Sequence, residues 1–257
     1  MDSGQILTVT NFDTASAAFA PTPSADASRS ALQERLTTKF LLPATIAASI
    51  LAELTERYTL LLAGDQRTAT YRTLHFDTED LAFFHAHRRG YRRREKARIR
   101  HYDDRRLSYF EIKLRINAHK TIKQRCVREY GDDVLHAEDL ALLAQCTGND
   151  GGLVPQVWTL FQRLTLVNVR DDERVTFDFN LRFRDGDREV ERTHAAIIEV
   201  KQPRLCRHSP VMRVLQRHGI RAAEFSKYCA AIVALRAGVR HNRLLPRLRA
   251  FERIKHE

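Results

Sequence analysis

The chain of 257 residues is short of several things that would make its chemistry easy to read. It has four cysteines, Cys126, Cys146, Cys206 and Cys229, and none of them is spaced as CxxC or lies beside a histidine at ligand spacing. A disulfide framework and a structural zinc site are therefore not expected, which points to a reducing, cytoplasmic setting. No run approaches the ~18 apolar residues that would span a bilayer. Residues 1–30 lack a basic start followed by an apolar stretch, so they do not read as a signal peptide. The eleven histidines form no HExxH pattern, and His85 and His87, two apart in a helical stretch, do not share a face. No Ser-His-Asp set stands out, and no internal repeat is visible.

Positive charge is what the chain has in excess. Forty-three Lys and Arg face 32 Asp and Glu, a formal net charge of +11. An anionic partner is implied: nucleic acid, a membrane surface or a phosphorylated molecule. The apolar fraction of 43% and charged fraction of 29% are those of a globular chain with a core. Residues 1–30, rich in Ala, Ser, Thr, Pro and Asp, read as a disordered tail. Residues 31–235 read as one domain, and residues 236–257 as a basic C-terminal segment.

Strand patterns dominate the domain, at residues 34–42, 70–77, 96–102, 107–116, 120–127, 156–169, 174–183 and 196–201. Helical spacing follows Pro43 up to Arg57 and recurs at 80–89, ahead of Gly90, at 132–145 and within 209–235. In a strand, successive side chains point to opposite faces. Arg174, Thr176, Asp178, Asn180 and Arg182 therefore oppose Val175, Phe177, Phe179, Leu181 and Phe183. Glu111, Lys113 and Arg115 oppose Phe110, Ile112 and Leu114, and Arg98 and Arg100 oppose Ala97 and Ile99. Glu199 and Lys201 oppose Ile198 and Val200, and Lys123 and Arg125 lie on one side of their strand. A single wet sheet face explains any one of these strands. It does not explain why the polar faces share so many Arg and Lys, because like charges on adjacent strands repel. A closed barrel does: apolar faces outward under helices, cationic faces inward around a wet channel for a polyanion. The expected fold is α+β, an eight-stranded antiparallel β-barrel tunnel with flanking helices.

The basic run 87–106 also fits an RNA-binding patch taken alone. It lacks an aromatic platform for bases, since Tyr91 and Tyr102 are its only aromatics, which argues against nucleic acid. Asp77 and Asp80 read as a turn and helix start, and Trp158 and the phenylalanines as core.

Several stretches, in order, resemble the VTC-type polyphosphate polymerase domain among the triphosphate tunnel metalloenzymes. They are ERLTTKF at 34–40, YRTLHFDTEDLAFFHAH at 71–87, KARIRHY at 96–102, YFEIKLR at 109–115, LFQRLTL at 160–166, RVTFDFNLRF at 174–183, IIEVK at 197–201 and FSKYC at 225–229. The resemblance implies that Arg35, Lys39, Arg98, Arg100, Lys113, Lys123, Arg163, Arg174 and Lys201 bind phosphates. It implies that Glu199 holds a divalent ion, Mn2+ or Mg2+, and that Lys39, Arg98, Arg100 and Glu199 carry catalysis. The implied reaction moves the terminal phosphoryl group of ATP onto polyphosphate. The paired glutamates of an ExExK motif, typical of tunnel triphosphatases, are absent, which favours polymerase over hydrolase. A tunnel triphosphatase acting on inorganic triphosphate or nucleoside triphosphates is the alternative, and a non-catalytic polyphosphate- or nucleic-acid-binding module a third. No membrane helix of the eukaryotic VTC type is present, and peripheral membrane association stays open.

Overall fold

A computed structural model describes residues 11–23, 36–117, 121–148, 151–168, 170 and 172–254. Ten strands form one sheet: β1 (Leu36–Pro43), β2 (Thr59–Leu60), β3 (Ala69–Thr78), β4 (Ala97–Tyr102), β5 (Leu107–Arg115), β6 (Thr121–Arg128), β7 (Leu153–Asn168), β8 (Glu173–Asp185), β9 (Arg188–Arg192) and β10 (Ala195–Gln202). Eight of them run in the order β1-β10-β8-β7-β3-β4-β5-β6, all antiparallel, while β2 adds to β7 and β9 to β8. The α+β class and the eight-strand path agree with the sequence pattern.

Closure does not. Among the described residues no ladder joins β1 to β6, so the barrel has a seam. The open edge of β1 is taken instead by the segment after residue 219: Phe40 bridges to Ala222, and the Ala223 amide donates to the Lys39 carbonyl. A chain segment on that edge satisfies backbone groups that β6 would otherwise have met.

Alternation supplies the packing. Val175, Phe177 and Phe179 of β8 and Ile198 and Val200 of β10 are buried on the outer face. Helix α1 (Ala44–Ala52) covers them with Ala47, Ile50 and Leu51, and α4 (Pro210–Arg217) with Val211, Val214 and Leu215. The helix that Pro43 opens stops at Ala52 rather than Arg57. A second cluster lies under α5 (Lys227–Leu235) and α6 (Leu245–Glu252), where Phe251 packs on Phe225 and Phe183. The basic C-terminal segment is thus docked through Phe251. A third cluster joins Phe83 of α2 (Ala82–Arg89) and Leu143 of α3 (Ala137–Thr147) to Ile99, Phe110 and Ile112. The buried Asp77 carboxylate accepts the Phe83 and Phe84 amides, so the last turn of β3 caps α2 from outside the helix. Gly90 ends α2 with φ 75°. No described helix is long and apolar enough to cross a membrane.

The expectation of a disordered tail over residues 1–30 is corrected for residues 11–23. Residues 11–17 are helical, and Phe12 and Phe19 are 0% and 2% exposed. The Phe12 ring stacks on Phe179 at 4.0 Å. Arg67 donates to the carbonyls of Ser16 and Phe19, and Leu60 exchanges backbone hydrogen bonds with Ala20 and Thr22. Two phenylalanines carry the burial of a stretch whose other letters are small and polar, so its composition hides it. Truncating Phe12 removes a fully buried ring, and Phe12→Ala should cost about 3–5 kcal/mol in denaturant unfolding.

Candidate functional site

Residues directly opposite each other in neighbouring strands share a face, and the register places the expected cations on one face. Lys39 of β1 lies opposite Glu199 of β10, and Lys201 opposite Arg174 of β8. Asp178 lies opposite Arg163 of β7. On the other wall Arg98 of β4 lies opposite Glu111 of β5, Glu111 opposite Arg125 of β6, and Lys113 opposite Lys123. Arg100 lies opposite Thr73 of β3 and donates to its hydroxyl at 3.1 Å. Arg35 falls outside the described residues.

Charges on strands that are not neighbours act on one another, and this is what turns a sheet face into a bore. Lys39 on β1 depresses the pKa of Lys113 on β5, and Lys123 on β6 depresses that of Lys201 on β10. β1 and β6 are the two ends of the strand path, so the sheet has curled until its edges face each other across the seam. Burial, then Lys39 and Lys123, brings Lys113 down to about 8. Lys201 is supported by Glu199, but burial, Arg163, Arg174 and Lys123 outweigh that and bring it to about 8.

Three carboxylates hold this field together. Glu111 accepts from Arg98 at 2.7 Å and lies 3.8 Å from Arg100; burial pushes its carboxyl up, but Arg98 and Arg100 bring it to about 2. Asp178 is wholly buried and is gripped by the Arg163 fork, at 2.5 and 2.7 Å, and by Lys227. Burial opposes its ionisation, and Arg163 and Lys227 bring it to about 2 all the same. Glu199 is different: its ion pair with Lys201 is long, at 3.8 Å. Burial raises its pKa, yet Lys201, Lys39, Arg163 and Lys227 together hold it well below the usual carboxylate range.

Two members of the site escaped the sequence reading. Lys96 lies two residues before Arg98, in the same alternation that marked Arg98 and Arg100, and could have been found by extending that pattern one step. Burial, with Lys39, Lys113 and Arg98 nearby, takes it to about 7 against the support of Cys229. Lys227 sits at the start of α5, where no strand period applies. Burial and Arg163 outweigh Asp178 and bring it to about 8. Its ammonium also lies 4.2 Å from the Phe161 ring centre. Three lysines converge on the segment 225–227: Lys39 donates to the Phe225 carbonyl and Lys96 to the Ser226 hydroxyl, both at 3.0 Å, and Lys227 belongs to it. That segment marks one end of the bore.

Among the described residues no group of three or more His, Cys, Asp or Glu could hold a metal by itself. The donor set nevertheless fits a hard divalent cation held partly by substrate. Mg2+-like ions commonly use one or two carboxylates and take their other ligands from phosphate oxygens and water. Glu199 is ionised and is not clamped by a guanidinium, unlike Glu111 and Asp178.

The VTC domain family matches residues 34–236 of the chain. No curated protein sequence matches it. Among solved structures, the chain is similar to an adenylyl cyclase candidate from Hippeastrum described as having a dominant triphosphatase activity, at 15% identity and TM-score 0.50, covering 81% of this chain and 100% of that one. It is also similar to an adenylate cyclase candidate from Vibrio parahaemolyticus (10% identity, TM-score 0.45, covering 76% and 96%). A third, the PH1819 protein of Pyrococcus horikoshii, gives 11% identity and TM-score 0.43, covering 77% and 99%.

A lysine whose pKa falls on folding gives up a proton as the chain folds. Between its folded value and the ~10.4 of the unfolded chain, the unfolded state binds more protons, so stability rises with pH there. With Lys96 at about 7 and Lys113, Lys201 and Lys227 at about 8, the melting temperature of the ligand-free protein should climb from pH 7 to 9. A bound polyanion favours the charged lysines, so its binding at pH 8 should take up protons. Calorimetric titration in buffers of different ionisation enthalpy measures that uptake directly.

Proposed function

Given that the chain belongs to the VTC domain family, a tunnel family whose members depend on a divalent metal, we propose that it is a metal-dependent polyphosphate polymerase transferring the terminal phosphoryl group of ATP to a growing polyphosphate chain. The observation that carries this reading is the convergence of Lys39, Lys113, Arg163, Lys201 and Lys227 from separate elements on the charge of Glu199, a carboxylate that no guanidinium clamps among the described residues.

Phosphoryl transfer asks little covalent chemistry of the protein and much positioning and charge stabilisation. Arg98, Arg100 and Arg163 would offer phosphate oxygens the guanidinium N–H groups that Glu111 and Asp178 leave unused, and the lysines would add point charges that shift with their load. Lys39, opposite Glu199, would add its positive charge to the group being transferred. Glu199 would hold the divalent cation, which would supply neutralisation of phosphate charge. Lys123 and Arg174 extend the cationic wall along the acceptor chain. Arg35 is assigned to the same wall by resemblance alone.

The carboxylates favour transfer to phosphate over transfer to water. A hydrolase needs a base to activate water, and Glu111 is the carboxylate the sequence offers for that task. Arg98 and Arg100 hold Glu111 at about 2, which makes it a poor base near neutrality. An anionic phosphate acceptor needs no proton removed.

Incubating the purified protein with ATP and Mn2+ tests the reading. Long-chain polyphosphate is the expected product; release of orthophosphate alone would make the protein a triphosphatase, and neither product would make it a binding module. Glu199→Gln should lower metal-dependent turnover at least ~100-fold with the melting transition still cooperative; full activity in this variant would remove Glu199 from the metal role. Arg98→Ala should weaken polyphosphate binding, with the deficit largest at low salt and a shallower fall of log K with log[salt], in a filter or fluorescence binding assay.

A further inference from the structure

The bore changes character at the end away from α5. Stepping along β5 on the inner face, Lys113 and Glu111 give way to Tyr109 and Leu107; along β6, Lys123 and Arg125 give way to Val127. Tyr109 lies opposite Val127, and Leu107 lies opposite Tyr102. Val127 is 74% exposed and Leu107 38%. Neither belongs to any of the three apolar clusters, so neither contributes to the core. Tyr102 and Tyr109 meet edge to face at 5.8 Å, and Tyr102 adjoins Tyr71, which stacks on Phe161. Guanidiniums sit over the outer rings: Arg125 at 4.6 Å from the Tyr109 centre and Arg105 at 5.1 Å from that of Tyr102, both from exposed positions.

Exposed apolar side chains on the inward face of a cationic channel are costly in water unless something covers them. A polyphosphate cannot, because it is charged throughout. A nucleoside triphosphate can: its phosphates are anionic and its base is a flat apolar surface. Two residues along a strand span ~7 Å, so Tyr109 sits one short step outside the row of Arg98 and Glu111. We propose that the rim formed by Tyr109, Val127 and Tyr102 is a base-stacking subsite that holds the base of a nucleoside triphosphate whose phosphates lie in the bore. The proposal deepens the reading of the bore as a phosphoryl-transfer site and rests on it.

The subsite distinguishes a nucleotide from inorganic triphosphate, and it distinguishes bases poorly. The Tyr102 hydroxyl is turned to Glu111, so the rim offers a base ring faces and a valine side chain, and stacking on an aromatic ring tolerates any base. Adenine and guanine nucleotides should therefore bind within about three-fold of each other, since stacking alone separates them.

The test is titration of the full chain, with Mg2+ present, by the β,γ-imido analogue of ATP and separately by inorganic triphosphate. Tyr109→Ala should lower affinity for the nucleotide about five- to 150-fold, the range of a lost base stack, and leave triphosphate affinity within about two-fold because its phosphate contacts are untouched. Tyr109→Phe keeps the ring and should restore nucleotide binding. Val127→Ser, at an exposed position that cannot disturb the core, should weaken the nucleotide alone. Equal losses for both ligands in Tyr109→Ala, or no loss for the nucleotide, would overturn the subsite while the bore keeps its role. A wild-type protein that binds neither ligand would overturn the phosphoryl-transfer reading, and the subsite with it.

Discussion

Mutual repulsion among cations in an enclosed bore is the constraint around which this protein is built. At the effective dielectric of a protein surface, two like charges 4 Å apart repel by about 4 kcal/mol. The inner face gathers lysines and arginines from β1, β4, β5, β6, β7, β8, β10 and α5. The fold relieves the strain in two ways. Lysines can give up their charge, and four of them have pKa values lowered to about 7 or 8. Arginines cannot, so they carry carboxylates: Arg98 and Arg100 share Glu111, and Arg163 holds Asp178. The division follows from side-chain chemistry, since the guanidinium stays protonated at any pH the protein meets. A polyanion relieves the remainder, which ties stability, protonation and ligand binding to one set of residues.

The outer face bears the cost of this arrangement. The inward charges of the strands alternate with apolar neighbours that build the clusters under α1 and α4 and under α2 and α3, while the cluster under α5 takes in Tyr71, Phe161 and Ile197 of the inner face. The helices are not decoration on a self-sufficient barrel. The segment leading into α5 occupies the β1 edge that β6 leaves open, and α5 itself brings Lys227 to Asp178. Tyr228, next in line, donates to the buried Asp77 that also caps α2. One short stretch thus joins the apolar shell, the seam and the charged interior.

Much of this was legible because alternation is local. Period-two patterning in 98–100, 111–115, 174–178 and 199–201 was enough to sort inward from outward residues, and the register confirms the sorting strand by strand. What was not legible depends on distance in sequence. Residues 11–23 look like a solvated stretch because Phe12 and Phe19 are their only large apolar side chains, and the ring that receives Phe12 lies at Phe179. β2 and β9 are too short or too polar to show a period: Thr59–Leu60 is a strand only because β7 runs past it. Lys227 belongs to a helix, so no strand rule could reach it. The seam could not be read either, since closure depends on which backbone reaches the β1 edge first, and residues 222–223 do.

The two ends of the bore follow from the same electrostatics. At the α5 end, Lys39 and Lys96 place their ammonium groups on a carbonyl and a hydroxyl of the segment 225–226, neutral acceptors that can satisfy a cation without cancelling it. A carboxylate there would hold those lysines more firmly and would compete with phosphate for them. At the opposite end the cations turn outward over aromatic rings, Arg125 over Tyr109 and Arg105 over Tyr102, where a ring face offers weak attraction and no formal charge. Lys227, from the α5 end, reaches inward to the Asp178 carboxylate, and the three carboxylates lie between the two ends. Two of the three are locked there by arginine. The third, Glu199, faces Lys39 across the β1–β10 ladder with its ion pair to Lys201 stretched to 3.8 Å, so of these three described carboxylates it is the one that lysines rather than arginines surround, and a lysine that can shed its charge competes least with a cation.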